Sequence, residues 1–169
     1  RQMCIRDSYW IITKLFDKEK VKLIVDGGAS IGDTSIKLSK LFPQSIVHSF
    51  EPFPKFYSQL KDHSTLNNKI KPYKMALSDC KGNNLLFVNK SEGTNSLSQS
   101  NVNKEHPHYD LLSPVNSVDV MTSMLDDIFP HETIDILKLD LQGGEYKALE
   151  GAKNLLKENY QTILLSQFL

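Results

Sequence analysis

Apolar positions in this chain switch between two spacings. Short β-branched and aliphatic runs alternate with stretches in which apolar residues recur three and four positions apart. Residues 9–20 carry Tyr9, Ile12 and Phe16 at i, i+3 and i+7, with Ile11 and Leu15 alongside, which predicts a short amphipathic helix. Val21–Val25 is a buried strand broken by Asp26-Gly27-Gly28. Ile31, Ser35, Leu38 and Phe42 then share one helical face, stopped by Pro43. Ile46–Phe50 is the next strand, closed by Glu51-Pro52, and Phe53, Phe56 and Leu60 return to helical spacing. Residues 70–77 and 84–89 predict two strands with a turn between them. From Ser91 to Pro114 the chain turns to Ser, Asn, His and Gly, a polar loop long enough to signal function. Val115–Met121 and Ile134–Leu139 are further strands; the second leads through Gly143-Gly144 into a helix with Tyr146, Leu149 and Leu155-Leu156. Thr162–Leu165 is the last strand, and no repeat or second domain interrupts the pattern.

Strands alternating with helices predict βαβ units, hence an α/β fold of Rossmann type. Its sheet is mostly parallel, with helices on both faces. Ligands of such sheets bind beyond the carboxyl ends of the strands. Composition adds little: 40% of the 169 residues are hydrophobic and 24% charged, as in an ordinary globular domain. Twenty basic residues balance twenty acidic ones, so no electrostatic footprint for nucleic acid or anionic membrane exists. No apolar run nears the ~18 residues of a membrane span. Cys4 and Cys80 are too few for a disulfide scaffold or zinc cluster, which fits a reduced, cytoplasmic protein. Residues 1–8 show no periodicity and no signal peptide, and read as a non-native leader. The apolar run at Ile163–Leu165 lies at the far end, so residues 9–169 read as one domain cut short of its C-terminal strands.

The strand ends carry the chemistry. The first turn, Asp26-Gly27-Gly28-Ala29-Ser30-Ile31-Gly32-Asp33, spaces its glycines as acid-x-Gly-x-x-x-Gly and not as the dinucleotide fingerprint. Gly28 and Gly32 suit a positive φ or a close backbone approach to a ligand. An acid before the turn repels a pyrophosphate and attracts a cation, so Asp26 favours S-adenosylmethionine over NAD. Glu51, twenty-five positions on, is placed to accept hydrogen bonds from ribose hydroxyls, a role usually found ~20 residues along. After the third strand, Met75 or Leu77 would pack on an adenine, and Ser78 or Asp79 would bond its amino group. Lys138 and Asp140 are spaced to point the same way, a costly pair to bury without purpose or partner. Asp140 and Glu145 are the candidate bases for a substrate hydroxyl. The plain alternative is a buried Lys138–Asp140 pair, with Glu145 opening a helix where the dipole favours it.

These motifs, with Phe50-Glu51-Pro52, Ala76–Asp79, Leu125-Asp126-Asp127 and Lys138–Gly151, resemble in order those of the FkbM-family methyltransferases over roughly residues 21–166. Lys138-Leu139-Asp140-Leu141-Gln142-Gly143-Gly144-Glu145 followed by Leu149-Glu150-Gly151-Ala152 is the most specific block. The resemblance implies a class I methyltransferase fold, S-adenosylmethionine as methyl donor, and transfer to a hydroxyl of a sugar or secondary metabolite. It also implies cofactor contacts from Asp26, Gly28, Glu51 and Asp79. The family often has Asn at Ser30 and Glu at Gln142; Gln142 cannot act as a base. The full set expected at the cofactor is Asp26, Gly28, Ser30, Gly32, Glu51, Ser78, Asp79 and Asp140, with Lys138, Asp140 and Glu145 at the reacting centre and no metal. The acceptor is a small molecule or glycan. Rival readings are an NAD-dependent oxidoreductase and a non-catalytic cofactor-binding domain.

Weaker signals complete the list. His106-Pro107-His108 has two imidazoles but no third metal ligand nearby, and Asp126-Asp127 reads as a helix cap near Ile128–Phe129. Cys80 has no histidine to make it a nucleophile. Gly93-Thr94-Asn95-Ser96 is a candidate lid over the site.

Overall fold

The computed structural model of the chain describes Ile12, residues 14–98, residues 109–158 and the backbone of residues 163–166. The expected leader at 1–8, with Cys4, and the His106–His108 pair lie outside the described residues. In chain order the elements are β1 (Leu23–Gly27), α1 (Asp33–Leu41), β2 (Ile46–Phe50), α2 (Pro54–Leu66), β3 (Ile70–Tyr73), β4 (Ala76–Leu77), β5 (Gly82–Asn89), α3 (Tyr109–Leu112), β6 (Pro114–Ser123), α4 (Leu125–Ile128), β7 (Ile136–Leu139), α5 (Glu145–Glu150), α6 (Lys153–Glu158) and β8 (Ile163–Ser166). Five strands form a parallel sheet in the order β3-β2-β1-β7-β8. The order reverses between β1 and β7, which leaves a crevice at their carboxyl ends.

Strand side chains alternate between faces, and the two faces carry separate cores. Ile24, Val47 and Ile136 pack with Leu38 and Phe42 beneath α1. Leu23, Val25, Phe50, Leu137 and Leu139 pack on the other face against Leu125, Phe129 and the helices at Ala148 and Leu155. Burying each of the large aliphatic side chains contributes roughly 1.5–3 kcal/mol. The predicted α/β sheet with helices on both faces is the observed one.

Several boundaries differ from the sequence expectation. Residues 70–77 are not one strand. Pro72 lacks an N–H, and β3 tolerates it because β3 is the edge of the sheet. The chain then leaves the sheet, and Ala76-Leu77 joins a second sheet of order β4-β6-β5. There β6 pairs antiparallel with β5 and parallel with β4. Hydrophobic periodicity reports burial and not which strand is the partner, so this second sheet was invisible in it. The polar stretch after Ser91 is not structureless either: Glu92–Thr94 forms a 3-10 turn, Ser96 bridges to Phe87, and α3 follows. In the first segment Ile12 is buried and helical, whereas Leu15 is exposed and Phe16 lies in a bend beyond the helix.

The single helix expected after Gly144 is two, broken at Gly151. A Cβ there would lie 2.1 Å from the Ser78 carbonyl oxygen, so only glycine lets the β4 end approach the break. Asp126 then caps α6 and not the Ile128–Phe129 segment: its carboxylate accepts the Asn154 and Leu155 N–H groups at 3.0 and 2.9 Å.

Candidate functional site

A cleft of about 710 Å³, counted with its open mouth, lies at the β1/β7 reversal. One wall is the turn after β1, with Gly28 and Ser30; a second is Glu51-Pro52 after β2; a third is residues 140–144 after β7. Phe50, Phe56, Met75, Leu77 and Leu86 give the cleft an apolar side. The segment expected as a lid supplies another side through Gly93, Asn95 and Ser96, flanked by Glu92 and Leu97.

The expected site residues divide into those that line this cleft and those that build it. Gly28, Ser30, Glu51 and Asp140 line it. Glu51 is almost wholly buried, and each of its carboxylate oxygens accepts one backbone N–H at 2.8 Å, from Ser30 and from Phe53. Burial pushes its pKa up; those two N–H groups and Lys138 pull the other way, while Asp26 adds to the rise. A carboxylate so fixed keeps further lone pairs for a ligand. Asp140 lies just beyond β7, with its N–H bonded to the Gly27 carbonyl at 3.1 Å. Its pKa is also raised, first by burial and then by Glu145 and Asp26; Lys138 and the Gln142 amide oppose the rise.

Asp26, Gly32, Lys138, Ser78, Asp79 and Glu145 are not among the residues that line this cleft. Asp26 pairs in register with Lys138 of β7 and with Ser49 of β2, so all three side chains fall on the α1 face. Its carboxylate accepts Ser35 Oγ at 2.6 Å and Lys138 Nζ at 2.9 Å, and Ser49 Oγ donates to Ser35 Oγ at 2.8 Å. The Lys138 ammonium also donates to the Gly27 and Gly28 carbonyls at 3.1 and 2.9 Å. Strand alternation does not carry past Leu139, so the lysine pairs with Asp26 and not with Asp140. The Asp26 charge is thus paired with Lys138 beneath the turn.

The glycines also sit close against protein. A Cβ at Gly28, where φ is +70°, would sit 2.0 Å from the Asp140 carbonyl oxygen; at Gly32, where φ is +99°, it would meet Leu60. The buried Glu145 carboxylate accepts the Leu141 and Gly143 N–H groups at 2.7 and 3.0 Å, which ties down the turn after β7 and leaves it outside the cleft. Ser78 and Asp79 bond each other at 3.0 Å near the Gly151 break; that hydroxyl first of all lowers the pKa of the exposed Asp79. Among the described residues, no group of three or more His, Cys, Asp or Glu is placed to hold a metal ion.

Sequence reasoning missed Phe56, Leu86 and Leu97 as cleft residues and gave Gln142 no positive role. Gln142 sits at φ 53°, a left-handed conformation uncommon outside glycine, between Asp140 and Gly143. Its Nε2 donates to Asp140 Oδ1 at 3.0 Å, and its buried Oε1 has no hydrogen-bond partner among the described residues. A non-glycine residue held left-handed in a turn leaves no mark in hydrophobic pattern.

Residues 26–168 match the family described as "Methyltransferase FkbM domain". The chain belongs to that family. This FkbM-domain chain is 25% identical over 146 residues to "Methyltransferase 1" of Beauveria bassiana (strain ARSEF 2860), covering 76% of this chain and 57% of that protein. It is 28% identical over 153 residues to "Methyltransferase sdnD" of Sordaria araneosa, covering 76% of this chain and 59% of that protein. Among solved structures, methyltransferase FkbM from Methylobacillus flagellatus KT shares its fold, with a TM-score of 0.59 at 18% identity over 89% of this chain and 34% of that one. The FkbM-domain chain therefore spans under three-fifths of the length of these curated relatives.

Proposed function

We propose that this FkbM-domain protein is an S-adenosylmethionine-dependent methyltransferase acting on a hydroxyl of a small molecule or glycan, such as a sugar or secondary metabolite. The observation that carries the reading is the placement of Glu51, buried, and Asp140, half-buried, two carboxylates from different strand ends, on one cleft at the sheet's reversal point. Family membership supports methyl transfer over the NAD-dependent oxidation considered from the sequence. The electrostatics support it too, on other grounds than Asp26. Glu51 and Asp140 line the cleft, Glu92 beside them is ion-paired with Lys55, and among the described lining residues there is no Lys or Arg, which suits a cationic donor and opposes a pyrophosphate.

The residues present fit that cofactor. Glu51 would accept the ribose hydroxyls, Met75 and Leu77 would pack on the adenine, and the Gly28–Ser30 turn would lie against the amino-acid end. The orphaned Gln142 Oε1 is a buried acceptor that an N–H or O–H of a ligand would satisfy. Bound there, the cofactor supplies an electrophilic methyl group on its sulfonium. Asp140 would take the acceptor's hydroxyl proton; its raised pKa makes it a better base than an ordinary aspartate. Lys138 and Glu145 hold the walls and do no proton transfer. Ser78 and Asp79 have no contact in this reading.

Calorimetric titration with S-adenosylmethionine and separately with NAD, followed by a transfer assay on hydroxylated acceptors, tests the proposal. Binding of the methyl donor alone, lost in Glu51→Ala, with transfer abolished and binding kept in Asp140→Asn, is the expected result. A folded chain that binds neither ligand overturns it. Donor binding with no transfer to any hydroxyl acceptor would leave the non-catalytic cofactor-binding domain.

A further inference from the structure

The turn after β7 is anchored from an unexpected direction. Ser96 lies in the segment joining β5 to α3, and its backbone exchanges two hydrogen bonds with Phe87, at 2.8 and 3.2 Å, which fix it to the second sheet. Its side chain is buried and faces the other way. Ser96 Oγ donates to the Gln142 carbonyl at 2.8 Å, across 46 residues of sequence, and accepts the Ser98 N–H at 3.1 Å. A hydroxyl has one proton, and a carbonyl only accepts, so these two bonds fix the hydroxyl's direction.

Gln142 needs such an anchor. A left-handed backbone is strained for a non-glycine residue and persists only when neighbouring contacts over-determine it. Glu145 holds the N–H groups on either side, of Leu141 and Gly143; Ser96 holds the Gln142 carbonyl itself. With the backbone fixed, the Gln142 side chain reaches Asp140 Oδ1 through Nε2. A carboxylate can only accept there, which sets the amide's orientation and leaves Oε1 facing away. The Asp140 backbone is already held between Gly27 and Gly28, so the Gln142 amide restrains what remains, the direction of the carboxylate.

We propose that Ser96 is a positioning residue for Asp140, acting through the left-handed Gln142 and coupling the second sheet to the cleft carboxylate. Its catalytic meaning rests on the proposed role of Asp140 as base; the hydrogen-bond relay does not. The charged groups that act on Asp140 are Lys138 of β7, Glu145 of α5 and Asp26 of β1, and none of them is altered by changing Ser96.

The relay is read by carbon-13 NMR titration of the Asp140 carboxyl, assigned by its loss in Asp140→Asn, in the chain without ligand. Ser96→Ala should raise the Asp140 midpoint by about half a unit or more, because a hydrogen bond to the ionised form is lost. Ser96→Thr should restore the original midpoint. Gln142→Ala should give the same rise, and the Ser96→Ala/Gln142→Ala double variant no more than either alone. Should Ser96→Ala not fold, Ser96→Cys, with the same backbone bridge and a much weaker donor, is titrated in its place. An Asp140 midpoint that stays put in the Ser96 variants while Gln142→Ala moves it overturns the proposal, as does a full second shift in the double variant. Failure of the base assignment would look different: Asp140→Asn would retain transfer while the midpoint shifts remained.

Discussion

Replacing Lys138 by methionine isolates the ion pair beneath the first turn. Asp26 is wholly buried and its partner nearly so, with 2.9 Å between the charged atoms. At an effective dielectric of about 20, that separation is worth about 6 kcal/mol of attraction, and desolvation of the two ions takes back several kcal/mol each. The pair's net contribution is therefore small, but its breakage is not. Lys138→Met leaves a buried carboxylate with only Ser35 as partner and frees the carbonyls of Gly27 and Gly28. Loss of one member of a buried pair costs about 3–5 kcal/mol, a large share of a domain stability of roughly 5–15 kcal/mol. Asp26→Asn in the same background removes the uncompensated charge, so the double variant should lose no more than about 2 kcal/mol. Urea unfolding followed by circular dichroism measures all three, with equal m-values as the check on two-state behaviour. A Lys138→Met loss under about 1 kcal/mol, or a double variant whose loss equals the sum of the singles, refutes the reasoning.

Three other outcomes follow from geometry already given. Ser30 sits at φ 52°, so Ser30→Gly should raise stability by about 1 kcal/mol, and a lower urea midpoint would refute the strain. Gly28→Ala drives a Cβ to 2.0 Å from the Asp140 carbonyl oxygen, so it should cost about 3 kcal/mol or more; a midpoint within 1 kcal/mol of the parent would mean that the two turns separate freely. Burial holds Glu51 and Asp140 above their ordinary pKa values of 4.5 and 3.8, so over that rise the folded chain binds more protons than the unfolded one. Their ionisation therefore makes stability fall as pH climbs from those ordinary values to the raised ones. Glu51→Gln should flatten the fall, and a urea-midpoint profile left unchanged would refute the assignment.

The parts of the fold visible in the sequence were those whose signal is local. Val21–Val25 ending in Asp26-Gly27-Gly28, and Ile46–Phe50 ending in Glu51, mark strands by their own composition, and their ends do meet at the cleft. Pairing decided the rest. Lys138 faces Asp26 because β7 lies beside β1 in that register, a fact absent from the spacing of Lys138 and Asp140. Ala76-Leu77 is as apolar as the strand before it, yet pairs with β6 in another sheet. The carboxylate of Glu145 belongs to two backbone N–H groups a few residues upstream, and the wall formed by Asn95 and Ser96 comes from a stretch whose composition reads only as polar.

The strand order also fixes a timetable. Lys138 Nζ finds the Gly27 carbonyl 111 residues away, and translation at roughly 5–20 residues per second separates the two by about 5–20 s. During that interval β1 can pair with β2, but its other edge is bare and Asp26 lacks its counter-ion. Strands that wait exposed for a distant partner are slow to fold and prone to stick to one another. The nascent first half of this chain is accordingly where a ribosome-bound chaperone would have most to do, and the cleft is among the last features to assemble.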